Sequence, residues 1–254
     1  QYLIKMTIFQ LTDLHIAPLG TPTHGIDVRA NFLAGLREAK QWLPDALVIS
    51  GDLCFEVGDE SVYRWVKEKL ADFPAPYFVI PGNHDDSKMM AQVFDIQLLT
   101  DHESGCFTTK IGGRTVFFMN SETGFFTENQ MVWLEKRFAE STEKQEMIFV
   151  HYPPIRYGLK FMDDNYPMQE SSRDRFQKIV FGQPKPVHVF CGHYHAARSV
   201  GRKNLFVHVT PSTFFQLEPR AAEFTIDHYR PGFRWISEDN DRVQSSVHYF
   251  QGHL

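Results

Sequence analysis

The chain has 254 residues, 43% hydrophobic and 22% charged, with 26 Lys and Arg against 31 Asp and Glu for a formal net charge of −5. That is enough apolar material for one α/β domain with a sizeable core. No run of Lys and Arg interrupts the acidic balance, which argues against a nucleic-acid partner, and no apolar run reaches the roughly 20 residues of a membrane span.

In chain order, Met6 to Leu11 is a short apolar run that predicts a buried strand and not a signal peptide. Position 1 is Gln, so a preceding leader stays open. Val28, Phe32, Leu36, Ala39 and Leu43 recur at helical spacing, and Ala46 to Ile49 predicts a second strand. Val62, Trp65, Val66 and Leu70 mark another amphipathic helix, and Tyr77 to Ile80 a third strand stopped by Pro81-Gly82. The βαβαβ order implies parallel strands joined by right-handed crossovers. Cys106 to Ile111 and Arg114 to Asn120 flank Gly112-Gly113, a hairpin signal. Thr127 and Gln130 form a capping box ahead of a helix carrying Met131, Leu134 and Phe138. Met147 to Val150 and Val187 to Cys191 predict two more strands, and from Ala196 onward strand alternates with turn, at Gly201 to Asn204 and Pro231-Gly232. Pro153 to Arg173 has no clear period and reads as a long loop of the kind that is often functional. The expected architecture is α/β, two sheets packed face to face with helices outside, in a single domain over 1–254. Cys54, Cys106 and Cys191 are too few and too widely spaced for a disulfide framework, and predict reduced thiols in a reducing cytoplasm.

Five short polar motifs each follow an apolar strand: Asp13-Leu14-His15, Gly51-Asp52, Gly82-Asn83-His84-Asp85, His151, and Gly192-His193-Tyr194-His195. Ligands of open α/β sheets gather at the carboxyl ends of strands, so these motifs are expected on one rim. Singly, each is weak: Asp-x-His is commonly a turn, and one His after a strand is commonly a satisfied core residue. Together, in this order, they predict a metal site. Carboxylate, imidazole and amide oxygen without thiolate suit two ions of Mn, Fe or Zn, and the many histidines argue against Mg. Two ligand carboxylates against two divalent ions leave roughly +2, suited to a phosphodiester anion and a hydroxide. The other histidines, including His24, His102, His188 and His208, lack this context and are expected to be structural.

The ordered set from Asp13 to His195 resembles the signature of the calcineurin-like metallophosphoesterases. The resemblance implies a four-layer α-β-β-α sandwich of two mixed sheets. It implies that one metal takes Asp13, His15, Asp52 and His195, and the other takes Asn83, His151, His193 and the bridging Asp52. His84 then serves as a catalytic residue that stabilises the transition state or protonates the leaving oxygen, after in-line attack by a hydroxide held between the ions. Many relatives carry a second His directly after the ligand His, where this chain has Tyr152. A narrower similarity, through Thr210-Pro211-Ser212-Thr213, Phe224 to Asp227 and Pro231 to Trp235, is to bacterial class III cyclic-AMP phosphodiesterases.

The expected enzyme is therefore a hydrolase of small-molecule phosphodiesters, 3′,5′-cyclic AMP foremost, with a broader phosphodiesterase or phosphomonoesterase as the alternative. Asn83, His84 and Tyr194 are expected against the substrate, with Phe214, Phe125 and the 153–173 segment as further candidates. A non-enzymatic metal-binding scaffold would be expected to have lost ligands or His84, and none is lost.

Overall fold

The computed structural model describes residues 4–96, 105–239 and 242–253. The expected βαβαβ unit runs through β1 (Ile4–Leu11), α1 (Val28–Trp42), β2 (Ala46–Ser50), α2 (Glu60–Leu70) and β3 (Tyr77–Ile80). Its three strands are parallel neighbours. Every residue of β2 is buried, as expected for a central strand covered on both faces. Both helices start on an aspartate: Asp27 accepts from the Ala30 amide, and Asp59 from those of Ser61 and Val62. A third helix, α3 (Ser87–Phe94), starts three residues beyond His84 and was not foreseen.

The second sheet opens with β4 (Cys106–Ile111) and β5 (Arg114–Met119), antiparallel around Gly112-Gly113. Both glycines have positive φ, 55° and 83°, the conformation a two-residue hairpin requires. Helix α4 (Glu128–Glu140) carries both halves of the predicted capping box. After β6 (Glu146–Phe149), the 153–173 segment is not one loop. It contains α5 (Lys160–Asn165) and the start of α6 (Glu170–Phe181), and six residues of helix are too few to show a period. Strands β7 (Val187–Cys191), β8 (Arg198–Arg202) and β9 (Leu205–Val209) complete a sheet of order β4-β5-β6-β7-β9-β8, parallel in its centre.

The C-terminal third returns to the first sheet. A small ribbon of β10 (Gln216–Leu217) and β11 (Ile226–His228) precedes β12 (Gly232–Asp239) and β13 (Arg242–Tyr249). β12 pairs antiparallel with β1, so the first sheet has the order β13-β12-β1-β2-β3. The sheets meet face to face, with Phe78 of β3 against Phe118 of β5 at 5.2 Å between ring centroids. Trp42 of α1 packs on Phe233 and Trp235 of the first sheet, and Trp133 and Phe138 of α4 pack on Phe117 of the second. The layers are α-β-β-α, as the resemblance implied. Among the described residues, no helix is long and apolar enough to cross a membrane.

Candidate metal centre

All five motifs arrive at one rim, two faces of which come from different sheets. Asp13 and His15 follow β1, Asp52 follows β2, and Asn83 and His84 follow β3 of the first sheet; His151 follows β6, and His193 and His195 follow β7 of the second. The first two loops run side by side, the amides of Asp13 and His15 donating to the carbonyls of Gly51 and Asp52 at 3.0 Å each. Within the second sheet the Gly192 amide donates to the His151 carbonyl, and the two sheets are tied across the rim by the His193 amide donating to the Asp13 carboxylate. A Cβ at Gly51 would collide with the His151 imidazole, and one at Gly192 with the side chains of Thr12 and Asp13. Those two positions are glycine because side chains cross them.

Three overlapping groups have ligand atoms within 4.8 Å of one another: Asp13 with His15 and His195; His15 with Asp52 and His84; Asp52 with His151 and His193. Asp52 joins the two sides of the site. Its Oδ1 accepts the His84 amide at 2.9 Å. Its Oδ2 stands 3.2 Å from His151 Nε2 and 3.8 Å from His15 Nε2. Asp13 Oδ1 is 3.3 Å from His195 Nε2. Asn83 lines the same cavity.

The histidines are oriented by backbone carbonyls. Nδ1 of His15, His151 and His195 faces the carbonyls of Phe55, Ser50 and Phe215, and Nε2 of His193 faces that of Tyr166. A carbonyl only accepts, so each of these nitrogens carries a proton, and in the neutral imidazole the other nitrogen presents its lone pair to the site. The Nε2 atoms of His15 and His195 then lie 3.0 Å apart with no proton between them, and His151 Nε2 is buried without a hydrogen-bond partner. Lone pairs brought together in this way are satisfied by a cation. The residues present fit a pair of metal ions.

The electrostatics agree. Burial, reinforced by the neighbouring His195, lowers His15 to about 4, and burial beside His151 lowers His193 to about 3. Both are therefore neutral at physiological pH, the state that binds metal. His151 is the exception: burial disfavours its charge, but the adjacent Asp52 outweighs burial and raises the imidazole to about 9, so a metal ion would have to displace a proton from Nε2 on binding. Asp13 is held below the ordinary carboxylate range: burial opposes this, and His195 prevails. The backbone is strained in support of this packing. Asp13, His15, Asp52, His193 and His195 all have positive φ, between 45° and 69°, at a cost of about 1 kcal/mol or more each.

His84 sits beside the cluster, its ring 5.1 Å from that of His15, with Nδ1 donating to the Glu56 carbonyl at 3.1 Å. Tyr152 lies on the His193 ring, with centroids 3.8 Å apart. Tyr194 departs from expectation. It does not line the cavity: it is 1% exposed, and its hydroxyl donates to Asp163 of α5. Position 194 alternates with the ligand residues on either side and so points away from them. Phe125 is exposed elsewhere, whereas Phe214 does line the cavity. The 153–173 segment contributes Phe161, Met162 and Tyr166. Reasoning from sequence missed His24 and Glu56, which line the same space, because neither stands in a recognisable motif. His188 and His208 stack on each other within the second sheet, and His102 lies outside the described residues.

A rim of strand ends presenting overlapping groups of nitrogen and oxygen ligands defines a dinuclear metallohydrolase. The family model described as calcineurin-like phosphoesterase matches residues 6–197, and the chain belongs to that family. It is a metal-dependent phosphoesterase. It is 30% identical over 244 residues to a probable cyclic nucleotide phosphodiesterase of Fibrobacter succinogenes, covering 96% of this chain and 94% of that one. It is 28% identical over 270 residues to a glycerophosphodiester phosphodiesterase of Enterobacter lignolyticus, covering 96% and 92%. Its fold is similar to that of a dimetal phosphatase from Danio rerio, with a TM-score of 0.68 at 10% identity, over 98% of this chain and 100% of the other.

Proposed function

We propose that the protein hydrolyses phosphodiesters, with 3′,5′-cyclic AMP converted to 5′-AMP as its leading reaction, and that the chain acts as one domain in the cytoplasm. The observation that carries the substrate reading is the cavity above the cluster, about 340 Å³ in volume, which has aromatic rings and, among the described residues, no Lys or Arg in its lining. A dianionic monoester gains from added cationic groups, whereas a singly charged diester is matched by the centre itself. The three buried cysteines support a reducing compartment.

In this reading Asp13, His15, Asp52 and His195 hold one ion, and Asp52, Asn83, His151 and His193 hold the other, each Mn, Fe or Zn. The ions, when bound, supply positive charge for the phosphoryl oxygens and an ionised water at neutral pH. The chain does the rest. The carbonyls of Ser50, Phe55, Tyr166 and Phe215 keep the imidazoles aimed. Asp52 Oδ2 faces imidazoles on both sides of the site, which supports it as the bridge. His84 keeps Nδ1 on the Glu56 carbonyl, and in its imidazolium form its Nε2 can donate a proton to the leaving oxygen.

The test compares kcat/KM for cyclic AMP, cyclic GMP, a 2′,3′-cyclic nucleotide, glycerophosphoethanolamine and 5′-AMP under one metal condition. Cyclic AMP is expected to lead. Negligible turnover of cyclic AMP beside rapid turnover of glycerophosphoethanolamine or 5′-AMP would replace this reading by the broader phosphoesterase, for which the Enterobacter lignolyticus relative offers a precedent.

A further inference from the structure

Six aromatic rings form a continuous arc around the cavity. Phe55 meets Phe214 at 5.8 Å between centroids, Phe214 meets Phe215 at 4.4 Å, and Phe215 meets Phe224 at 5.7 Å. Phe224 meets Phe161 at 6.0 Å, and Phe161 meets Tyr166 at 5.6 Å. The arc is anchored to the metal-ligating loops at both ends. At one end the Phe55 carbonyl accepts from His15 Nδ1 at 3.3 Å, and at the other the Tyr166 carbonyl accepts from His193 Nε2 at 3.0 Å. All six rings line the cavity, and Phe224 and Tyr166 are each about half exposed, at 51% and 52%. Rings of this size left open beside a ligand site mark a surface that something apolar covers.

The far part of the arc is held rigidly. Asp163 of α5 accepts from the amides of Tyr157 and Gly158 and from the Tyr194 hydroxyl. Tyr194 stands between His193 and His195, so the helix that carries Phe161 is pinned to the loop that carries two ligands.

We propose that this arc is the specificity-determining wall for the organic arm of the substrate, and that the arm it selects is an uncharged planar ring system such as a nucleobase. The inference rests on the phosphodiesterase reading above and adds the residues that choose among diesters: Phe161, Tyr166 and Phe224 at the mouth. A planar arm is favoured over a quaternary ammonium head by the shape of the array. An ammonium cage closes several rings around one point within ~6 Å. At the mouth Phe161 meets both Phe224 and Tyr166, and among the described residues no ring pairing joins Phe224 to Tyr166 to close them around a point; only at the inner end does His24 close on Phe55, Phe214 and Phe215. Successive rings are tilted against each other by 43° to 88°, so faces and edges alternate along the arc, and a planar arm can stack on one face while meeting the edge of the next.

The experiment uses the full chain loaded with Mn and three phosphate-bearing probes: 5′-AMP, ribose 5-phosphate and phosphocholine. Inhibition constants against bis(4-nitrophenyl) phosphate are measured, together with saturation transfer by NMR to the adenine ring protons of 5′-AMP. The wild type is expected to bind 5′-AMP about tenfold or more tightly than ribose 5-phosphate. The double variant Phe161→Ala/Phe224→Ala is expected to lose that advantage, with ribose 5-phosphate unchanged within about twofold, and the adenine protons should lose their saturation. Equal affinity of the wild type for 5′-AMP and ribose 5-phosphate, or unchanged adenine saturation in the variant, overturns the inference. So does tighter binding of phosphocholine than of 5′-AMP. Failure of the loaded wild type to hydrolyse any phosphate ester overturns the phosphodiesterase reading instead, and the saturation measurement still reports on the arc.

Discussion

His84 and Asp52 are bonded to one another through the His84 amide, yet they are expected to fail differently when replaced. His84 is oriented by a carbonyl and lies beside the cluster, so His84→Ala should lower kcat by about 10²–10⁴-fold, the range for a lost proton donor or charge stabiliser. Two ions per chain should remain by elemental analysis; loss of metal in that variant would make His84 a ligand. Asp52→Asn, by contrast, removes one of the two carboxylate charges of the ligand set, and from the residue that faces both sides of the site. Titration of the variants with Mn should show a larger loss of affinity for Asp52→Asn than for Asn83→Ala, since Asn83 offers only a neutral oxygen. Equal losses would remove the case for Asp52 as the bridge.

Among the elements, the short helix α5 depends on one carboxylate. Tyr194→Phe takes one hydrogen bond from Asp163 and should cost about 1 kcal/mol. Asp163→Ala strands the buried Tyr157 amide and Tyr194 hydroxyl at once and frees the exposed Gly158 amide to water, at about 1–3 kcal/mol for each donor left buried without water. Urea unfolding should rank them in that order, and a milder Asp163→Ala would mean that α5 is held by something else. Strands β7 and β9 carry a different liability. His188 and His208 stack 5.6 Å apart, and burial lowers them to about 4 and about 3. Both are neutral in the fold, whereas the unfolded chain takes up a proton on each below about 6.5. Their contribution is therefore fully present above pH 6.5 and is lost as pH falls towards 4. His188→Phe should lose less stability between pH 7.5 and pH 4.5 than the wild type, by ~1–3 kcal/mol; an identical acid slope would contradict this.

For the molecule as a whole, what could be read from the sequence was what lies close together along the chain. Leu11, Ile49, Ile80, Val150 and Cys191 end apolar runs and are followed at once by ligand residues, so both the strands and their polar ends were visible. The pairing of β12 with β1, Phe9 opposite Trp235, was not, because nothing local in either segment names the other. The aromatic arc was invisible for the same reason. Its rings come from the loop after β2, from α5 and the residue after it, and from the segment between β9 and β11. Tyr194 was misplaced because adjacency to two ligands was taken for proximity to the substrate, while alternation along the loop turns it inward.

The placement of the ligands on both sheets has a mechanical consequence. Asp13, His15, Asp52 and Asn83 leave from the ends of one sheet, and His151, His193 and His195 from the ends of the other. An ion shared by those groups is a rivet through two plates. Its free concentration should then set how firmly the plates are joined: about 2.7 kcal/mol of added stability for each site held at a hundredfold its Kd. A chelator should act on this protein as a mild denaturant, lowering the melting temperature in step with metal activity. Amide exchange should quicken first at residues 12–16, 51–54 and 192–195, where strained backbone is released once the rivet is withdrawn.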